Sequence, residues 1–506
     1  MKIKMRSKSA FQNVISAIVL QIIIVITGMY IPQLMIVSYG SKINGMVSSI
    51  SQFISYISLV EAGIGNASLV ALFAPIASQN YKKVNGIMTA TNNFYKKAGS
   101  IFGVLLIGLA VIYPIFSVGE IDISLVRWMV IVVGSSTFVD FMILGKYRVF
   151  LNANQKGYIV SITQSIGTIM NAAVCIILMK MQFGILAVKA VATVVYVLRT
   201  VYIWSYVKKN YQYLKLNEVP DNSALKRRWD VLIHQITGVV VNSTDVVVLT
   251  TFLKNFSEIS VYTVYNLIAS NIITLLDSFG NSLCSVFGEV FARKEEKLVQ
   301  ESYQLYEYVF FIISFIASTC ILLLMIPFMR VYTMNITDAQ YIRPVTAVLF
   351  GIIVIGRSIR TPALTMIMAV GHYKETKKAA ILEAIINIIV SLLLVRKLGI
   401  NGVLIGTICS YLYRSIDIIK YIGKNVVKGT IKTTISRVVR NMIIMLVILW
   451  GNSKFAYNCS TWTEWIQLAC LRGGISVVLF GIVNTCFEPK MSRKVYAMIE
   501  RIVKKE

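Results

Sequence analysis

The chain is poor in the groups that most enzymes gather at their centres. Its 506 residues hold two histidines, His234 and His372, and 23 acids against 50 lysines and arginines. No nucleophile elbow, phosphate-cradling glycine loop or metal-ligand spacing occurs. An enzyme is therefore not expected, nor is ATP hydrolysis, a metal or a cofactor. The seven cysteines (175, 284, 320, 409, 459, 470 and 486) show no paired spacing and read as small packing residues rather than ligands or bridges. Eight prolines and the lack of short alternating segments exclude an outer-membrane barrel. Charge is scarce as well, at 14% of residues, which excludes an ordinary soluble domain.

What is abundant is apolar sequence, 56% of the total, gathered into runs long enough to cross a bilayer core of about 30 Å. The expected fold is all-α: a polytopic membrane protein of about fourteen transmembrane helices. Their expected spans are 12–36, 44–76, 96–118, 124–150, 157–179, 183–206, 231–253, 259–291, 304–328, 342–369, 379–396, 400–422, 434–455 and 466–487. The net charge of +27 invites a nucleic-acid partner, but most of the lysines and arginines fall in the termini and in loops on one side. That is the positive-inside bias, so no nucleic acid is expected and both termini are placed in the cytoplasm. The basic tails also suit anionic membrane lipids. The leading MKIKMRSKSA resembles a signal-peptide n-region, but the long apolar run behind it lacks a small-residue cleavage site and reads as a retained helix.

The chain repeats itself. Ser41, Ile43 and Glu61 fall on Ser257, Ile259 and Asp277, 216 residues later, and Gly65-Asn66 falls on Gly280-Asn281 after a one-residue gap. Asn171 and Lys180 fall on Asn387 and Arg396, while Tyr196, Arg199 and Asn210 fall on Tyr411, Arg414 and Asn425 at an offset of 215. The expected organisation is a six-helix lobe at 1–215, a second at 216–430, and two further helices with a basic tail at 431–506. The polar stretch KKNYQYLKLNEVPDNSALKRRWD joins the lobes. Repeats of even helix number run parallel and enclose a central cavity.

Ionisable groups at membrane depth cost about 3 kcal/mol or more each and need a partner or water. The bases are Arg127, Lys189, Arg199, Arg357, Arg360, Arg414 and Arg472. Equally numerous acids oppose them: Glu61, Asp140, Asp245, Asp277, Glu289, Glu383 and Asp417. Structural ion pairing accounts for such a balance as well as a site does. Arg357 and Arg360 lie a helical turn apart beside Pro362, a spacing that suits two guanidinium groups to a diphosphate. Pairing with Glu383 or Asp277 is the alternative. Tyr196 with Arg199, and Tyr411 with Arg414, repeat an aromatic–cation pair that fits either a sugar phosphate or a helix lock. Asn266, Ser270, Asp277 and Asn281 share one helix face, as do His234, Gly238 and Asp245, and Ser51, Ser55 and Ser58. These stripes line a cavity or glue helices together. Glu61, Asp245, Asp277 and His234 are the candidates for ion coupling.

Two stretches carry a resemblance. YGSKINGMVSSISQFISYISLVEAGIGNASLVALFAPIA resembles the second-helix signature of the bacterial polysaccharide (Wzx-type) flippases, and NSTDVVVLTTF with ISVYTVYN resembles their seventh-to-eighth helix signature. This group belongs to the multidrug/oligosaccharidyl-lipid/polysaccharide exporter superfamily, with the MATE drug exporters and lipid II flippases. The resemblance implies a two-lobed V with two extra helices, working by alternating access in the plasma membrane. It also implies an undecaprenyl-diphosphate-linked oligosaccharide as substrate, flipped for capsule or another surface polysaccharide, with a polysaccharide polymerase and glycosyltransferases as partners. The substrate contacts then assigned by spacing are Arg357, Arg360, Arg199, Arg414, Asn266, Asn281, Tyr196 and Tyr411. The first helix has no acid between Phe11 and Ser38, where ion-coupled drug exporters of the superfamily commonly place one. A cation-coupled small-molecule exporter is nevertheless the alternative within this architecture, and a non-transporting scaffold for glycosyltransferases is the alternative outside it.

Overall fold

One glycine bends the first and longest helix. In the computed structural model α1 (Lys2–Ile57) is interrupted only at Gly40, whose φ of 85° and ψ of 164° no other residue adopts cheaply. Residues 2–117, 119, 121–222, 228–292, 295–453 and 459–503 are described. Among them the backbone alone is described for 2–11, 228–235, 242, 281–283, 285–286, 289–290, 292, 296, 453, 499 and 501–503. Sixteen α-helices and no strand occur among these residues. Twelve segments are long and apolar enough to cross a membrane. One of them, Gln12–Glu61, is about 75 Å long at 1.5 Å per residue, enough for two crossings bent at Gly40. The chain is a polytopic all-α membrane protein.

Several expected boundaries change. The single helix expected over 44–76 is broken: α1 ends at Ile57, a 3₁₀ turn covers Ser58–Glu61, and α2 (Ile64–Ala77) begins after Gly63 at φ 85°. The Ser58 hydroxyl donates to the Ser55 carbonyl at 2.7 Å, and the left-handed glycine lets the chain turn. The basic loop expected after it is helical, because Asn80 caps α3 (Tyr81–Ile112) by accepting from the Lys83 N–H at 3.1 Å. The helix expected over 124–150 becomes α4 (Ile123–Val139), a π turn (Asp140–Leu144) and α5 (Gly145–Ala153). Next come α6 (Gly157–Lys180), α7 (Ile185–Asn210), α8 (Arg228–Leu253) and α9 (Phe256–Ala292). Then follow α10 (Glu296–Tyr332), α11 (Pro344–Val370), α12 (Tyr373–Leu398), α13 (Ile400–Asn425), α14 (Ile431–Ser453) and α15 (Trp462–Phe487). The basic tail forms one more helix, α16 (Pro489–Val503).

The chain divides into two compact units, Met1–Thr263 and Val264–Glu506. In the first, α1 packs on α8 and on the first turns of α9 through small and hydroxyl side chains. Ser49 meets Thr250 at 2.6 Å, Tyr56 meets Thr244 at 2.5 Å, and the Asn44 amide donates to Ser260 at 2.7 Å. Asn44 and Ser260 are themselves 216 residues apart, so a position of the repeat touches its own equivalent. Gly45 makes the approach possible, since a Cβ there would lie 1.7 Å from the Phe256 carbonyl oxygen.

In the second unit α12 and α13 pack as closely. A Cβ on Gly406 would lie 2.2 Å from the Ser391 hydroxyl, and Asn387 donates to Thr407 at 3.0 Å. The added helices are tied to α10 by buried polar groups. Arg437 reaches Glu307 at 3.0 Å and Glu488 at 2.5 Å, and Arg472 donates to the Leu323 carbonyl at 2.7 Å.

Gly45→Ala is expected to destabilise the first unit by about 1–3 kcal/mol through overpacking. Gly28→Ala, on the same helix but with nothing within 4 Å of the new Cβ, is the control. Thermal melting of detergent-purified protein should fall for the first and not for the second; equal melting would contradict the close approach of α1 to α9.

Candidate functional site

The break after α1 and the π turn after α4 serve one place. In the first unit a cavity of 580 Å³ is lined by Ser58, Glu61, Asn66, Tyr95, Arg148, Asn152 and Ser243, among others. Glu61 ends the 3₁₀ turn and accepts a short hydrogen bond from the buried Tyr95 hydroxyl. Gly145 admits the Tyr95 ring, because a Cβ there would lie 2.3 Å from it. Arg148 forks onto Asp140, with its two terminal nitrogens 3.3 and 3.1 Å from the two carboxylate oxygens, and lies 4.0 Å from Glu61.

The π turn makes that fork possible. Residues eight apart on a regular helix are rotated by roughly 80°, and one inserted residue takes back roughly 100°. Asp140 and Arg148 therefore come onto one face. Tyr196 on α7 donates to Asp140 at 2.7 Å, and the Arg199 guanidinium lies over the Tyr196 ring at 4.4 Å. Glu61, Tyr95, Arg148, Asp140, Tyr196 and Arg199 thus form one continuous polar chain inside apolar helices. Arg148, with 37% of its side chain exposed, is its accessible cation.

Sequence reasoning missed Arg148 because it falls at the end of an expected helix, beside a basic inner loop. The signal that finds it is its distance of eight residues from Asp140 on a helix with room for a bulge. Lys146 was missed too, and donates to Asn92 at 2.6 Å while buried.

The second unit has its own charge cluster. Arg357 on α11 donates to Asp277 on α9 at 2.7 Å, and Thr361 donates to the other Asp277 oxygen at 3.4 Å. This pair is open, with 22% of the Arg357 and 26% of the Asp277 side chain exposed. Arg360, one turn on, is closed: it is buried, pairs with Glu383 on α12 and lies over the Tyr411 ring at 3.9 Å. Arg414 on α13 lies 3.6 Å from Glu383, 3.0 Å from Asp417 and 3.4 Å from the Thr376 carbonyl. The two guanidinium groups expected to act together are therefore differently placed.

The expected Tyr411–Arg414 pair is also replaced. Two carboxylates hold Arg414, and Tyr411 instead receives Arg360 across the gap left by Gly356, where a Cβ would lie 3.3 Å from Tyr411. In the first unit the expected Tyr196–Arg199 pair is formed.

Among the other candidates, Asp245 is buried and accepts from Tyr262 at 2.9 Å, and Asn266 is half-buried on α9. The side chains of His234, Asn281 and Glu289 lie outside the described residues. Arg127 is exposed at the start of the second turn of α4, and Lys189 is half-buried at the start of the second turn of α7.

No family model matches this chain, and no curated protein matches it in sequence. Solved structures do match its fold. One titled as lipid II flippase MurJ in an inward closed conformation superposes with a TM-score of 0.70 at 16% identity, covering 95% of this chain and 99% of that one. An inward-facing multidrug resistance MATE family transporter of the MOP superfamily gives 0.61 at 15% identity, over 80% and 94%. A MOP superfamily transporter from Pyrococcus furiosus, titled for the reversed polarity of its binding pocket, gives 0.61 at 15% identity, over 84% and 97%. At such identities the likeness establishes the fold.

A double-mutant cycle tests the polar chain. Asp140→Asn and Arg148→Met should each lower the melting temperature, and together cost less than their sum by about 1–3 kcal/mol. Additive losses would show that the fork contributes nothing.

Proposed function

We propose that this protein is a flippase, moving a lipid-linked oligosaccharide with a diphosphate from the inner to the outer leaflet of the plasma membrane. The observation that carries the reading is the state of the arginines. Each unit presents one partly exposed guanidinium held by its own carboxylate, Arg148 by Asp140 and Arg357 by Asp277. Arg360 and Arg414 are buried on shared acids. Arg357 also keeps a buried Nε–H without a partner. An arginine held in this way is ready to exchange a carboxylate for phosphate oxygens, which accept the same forked hydrogen bonds.

The amides and hydroxyls around the 580 Å³ cavity, from Asn66, Asn152, Ser58 and Ser243, suit sugar hydroxyls. The fold of a lipid II flippase over 95% of the chain supports the same reading. In the proposed cycle the repeat halves 1–215 and 216–430 alternate access. Asp277, released when Arg357 engages phosphate, takes up a proton or cation, and Glu61 does so beside Arg148.

A second reading has its own support. Two carboxylates, Glu61 and Asp140, surround the single Arg148, an acid excess suited to a cation-coupled exporter of small molecules, and the MATE structures share the fold.

Depletion of the protein, followed by mass analysis of extracted undecaprenyl-diphosphate-linked glycans, separates the two. The flippase reading expects a completed repeat unit to accumulate while surface polysaccharide is lost. No accumulation, with raised sensitivity to cationic drugs, would move the assignment to the exporter.

A further inference from the structure

The two halves of the repeat treat one arginine in opposite ways. Offset by 216 along α6 and α12, and by 215 along α7 and α13 after a turn one residue shorter, Arg199 is the counterpart of Arg414, Tyr196 of Tyr411 and Asn171 of Asn387. Around Arg414 the second half supplies acids, Glu383 at 3.6 Å and Asp417 at 3.0 Å, and Asn387 donates to Thr407 at 3.0 Å. The counterpart of Glu383 is Gly167, that of Asp417 is Tyr202, and that of Thr407 is Ala192. Arginine, tyrosine and asparagine are kept, while both carboxylates and the hydroxyl are absent.

What stands in their place is space. A cavity of 170 Å³ lies between α6 and α7, lined by Gly167, Thr168, Asn171, Ala192, Tyr196 and Arg199, with Val195 beside them. At roughly 30 Å³ per water the 170 Å³ is room for about six waters, enough for a phosphate group. The Arg199 Nε–H is buried without a hydrogen-bond partner, and no carboxylate among the described residues lies at ion-pair distance. Its contact is the Tyr196 ring. Gly167 shapes the cradle, since a Cβ there would lie 3.2 Å from the Arg199 Cδ. A cation at this depth without a counter-ion is strongly disfavoured, and a ring face alone compensates little.

We propose that the α6–α7 cavity binds an exogenous phosphate group, which takes the place that the Glu383 carboxylate holds in the second half. The guanidinium forks onto its oxygens, and Asn171 and Thr168 donate to the remainder. The surrounding surface is apolar and open, with Ile166, Ile169, Met170 and Leu198 each about half exposed. A lipid headgroup and a free phosphate carry the same chemistry. This cavity is lined by neither Arg148 nor Arg357, although Tyr196 and Asp140 link Arg199 to Arg148, and phosphate binding here is read without translocation, so the flippase reading and this one are tested apart.

The test uses full-length protein delipidated in a maltoside detergent, which carries no phosphate. Its melting is followed against inorganic phosphate in one arm and phosphatidylglycerol in the other, with native mass spectrometry counting retained lipid. Wild-type protein should melt higher with one or both ligands. Arg199→Met should need about tenfold more ligand for the same shift, or lose the shift altogether. Gly167→Glu, which rebuilds the second-half acid beside Arg199, should melt higher without ligand and no longer respond. A response to inorganic phosphate identifies a free-anion site. A response to phosphatidylglycerol alone, with one lipid retained by wild type and none by Arg199→Met, identifies a lipid site. A wild type that responds to neither ligand, or a response that survives either substitution, overturns the proposal. Arg199→Met keeps the test decisive if Gly167→Glu does not fold.

Discussion

A charge inside hydrocarbon must find an opposite charge or water, and most of this structure can be read as answers to that demand. The second unit answers with closed pairs: Arg360 and Arg414 share Glu383, and Arg437 is shared by Glu307 and Glu488. Such pairs contribute little net stability over apolar packing, but loss of one partner strands the other, so they hold helices in fixed register. The first unit answers with open space beside its ion pair. Its polar chain from Arg199 to Tyr95 opens at Arg148 and Glu61 onto the 580 Å³ cavity. Closed pairs fix the frame, and open pairs are left able to change partner.

Local backbone irregularity places the open pairs. Gly63 in the left-handed region and the 3₁₀ turn before it set Glu61 at the cavity wall. The π turn at Asp140–Leu144 rotates Arg148 onto the face of Asp140. Irregular backbone at membrane depth is tolerated where it lines a cavity or is buried in protein. The turn from Ser58 to Gly63 lines this one, and the π turn is buried in protein beside it.

The all-α membrane fold was legible because apolar runs of helical length leave no soluble alternative, and the repeat was legible because spaced polar residues recur at a shared offset. The partners of Arg357 and Arg360 were legible as alternatives, since pairing with Glu383 or Asp277 stood beside the diphosphate. The breaks were not legible. Hydropathy does not distinguish a continuous helix over 44–76 from one interrupted at Gly63, since a glycine in an apolar run fits both. Arg148 was hidden because eight residues from Asp140 is the wrong rotation on a regular helix and the right one only across a π turn. The cation that Tyr411 receives was misjudged because competition is three-dimensional. Arg414 has two acids available, and no one-dimensional spacing reveals that a cation on α11 faces the ring instead.

The central claim is that a partly exposed arginine in each unit exchanges its own carboxylate for the diphosphate of a lipid-linked sugar. The most direct measurement uses purified protein in liposomes that carry a fluorescent undecaprenyl-diphosphate disaccharide. Appearance of the sugar on the opposite leaflet is scored with a membrane-impermeant reagent. The account predicts protein-dependent translocation that is lost in Arg148→Gln and in Arg357→Gln while both proteins remain folded. Translocation unchanged in both variants would contradict it.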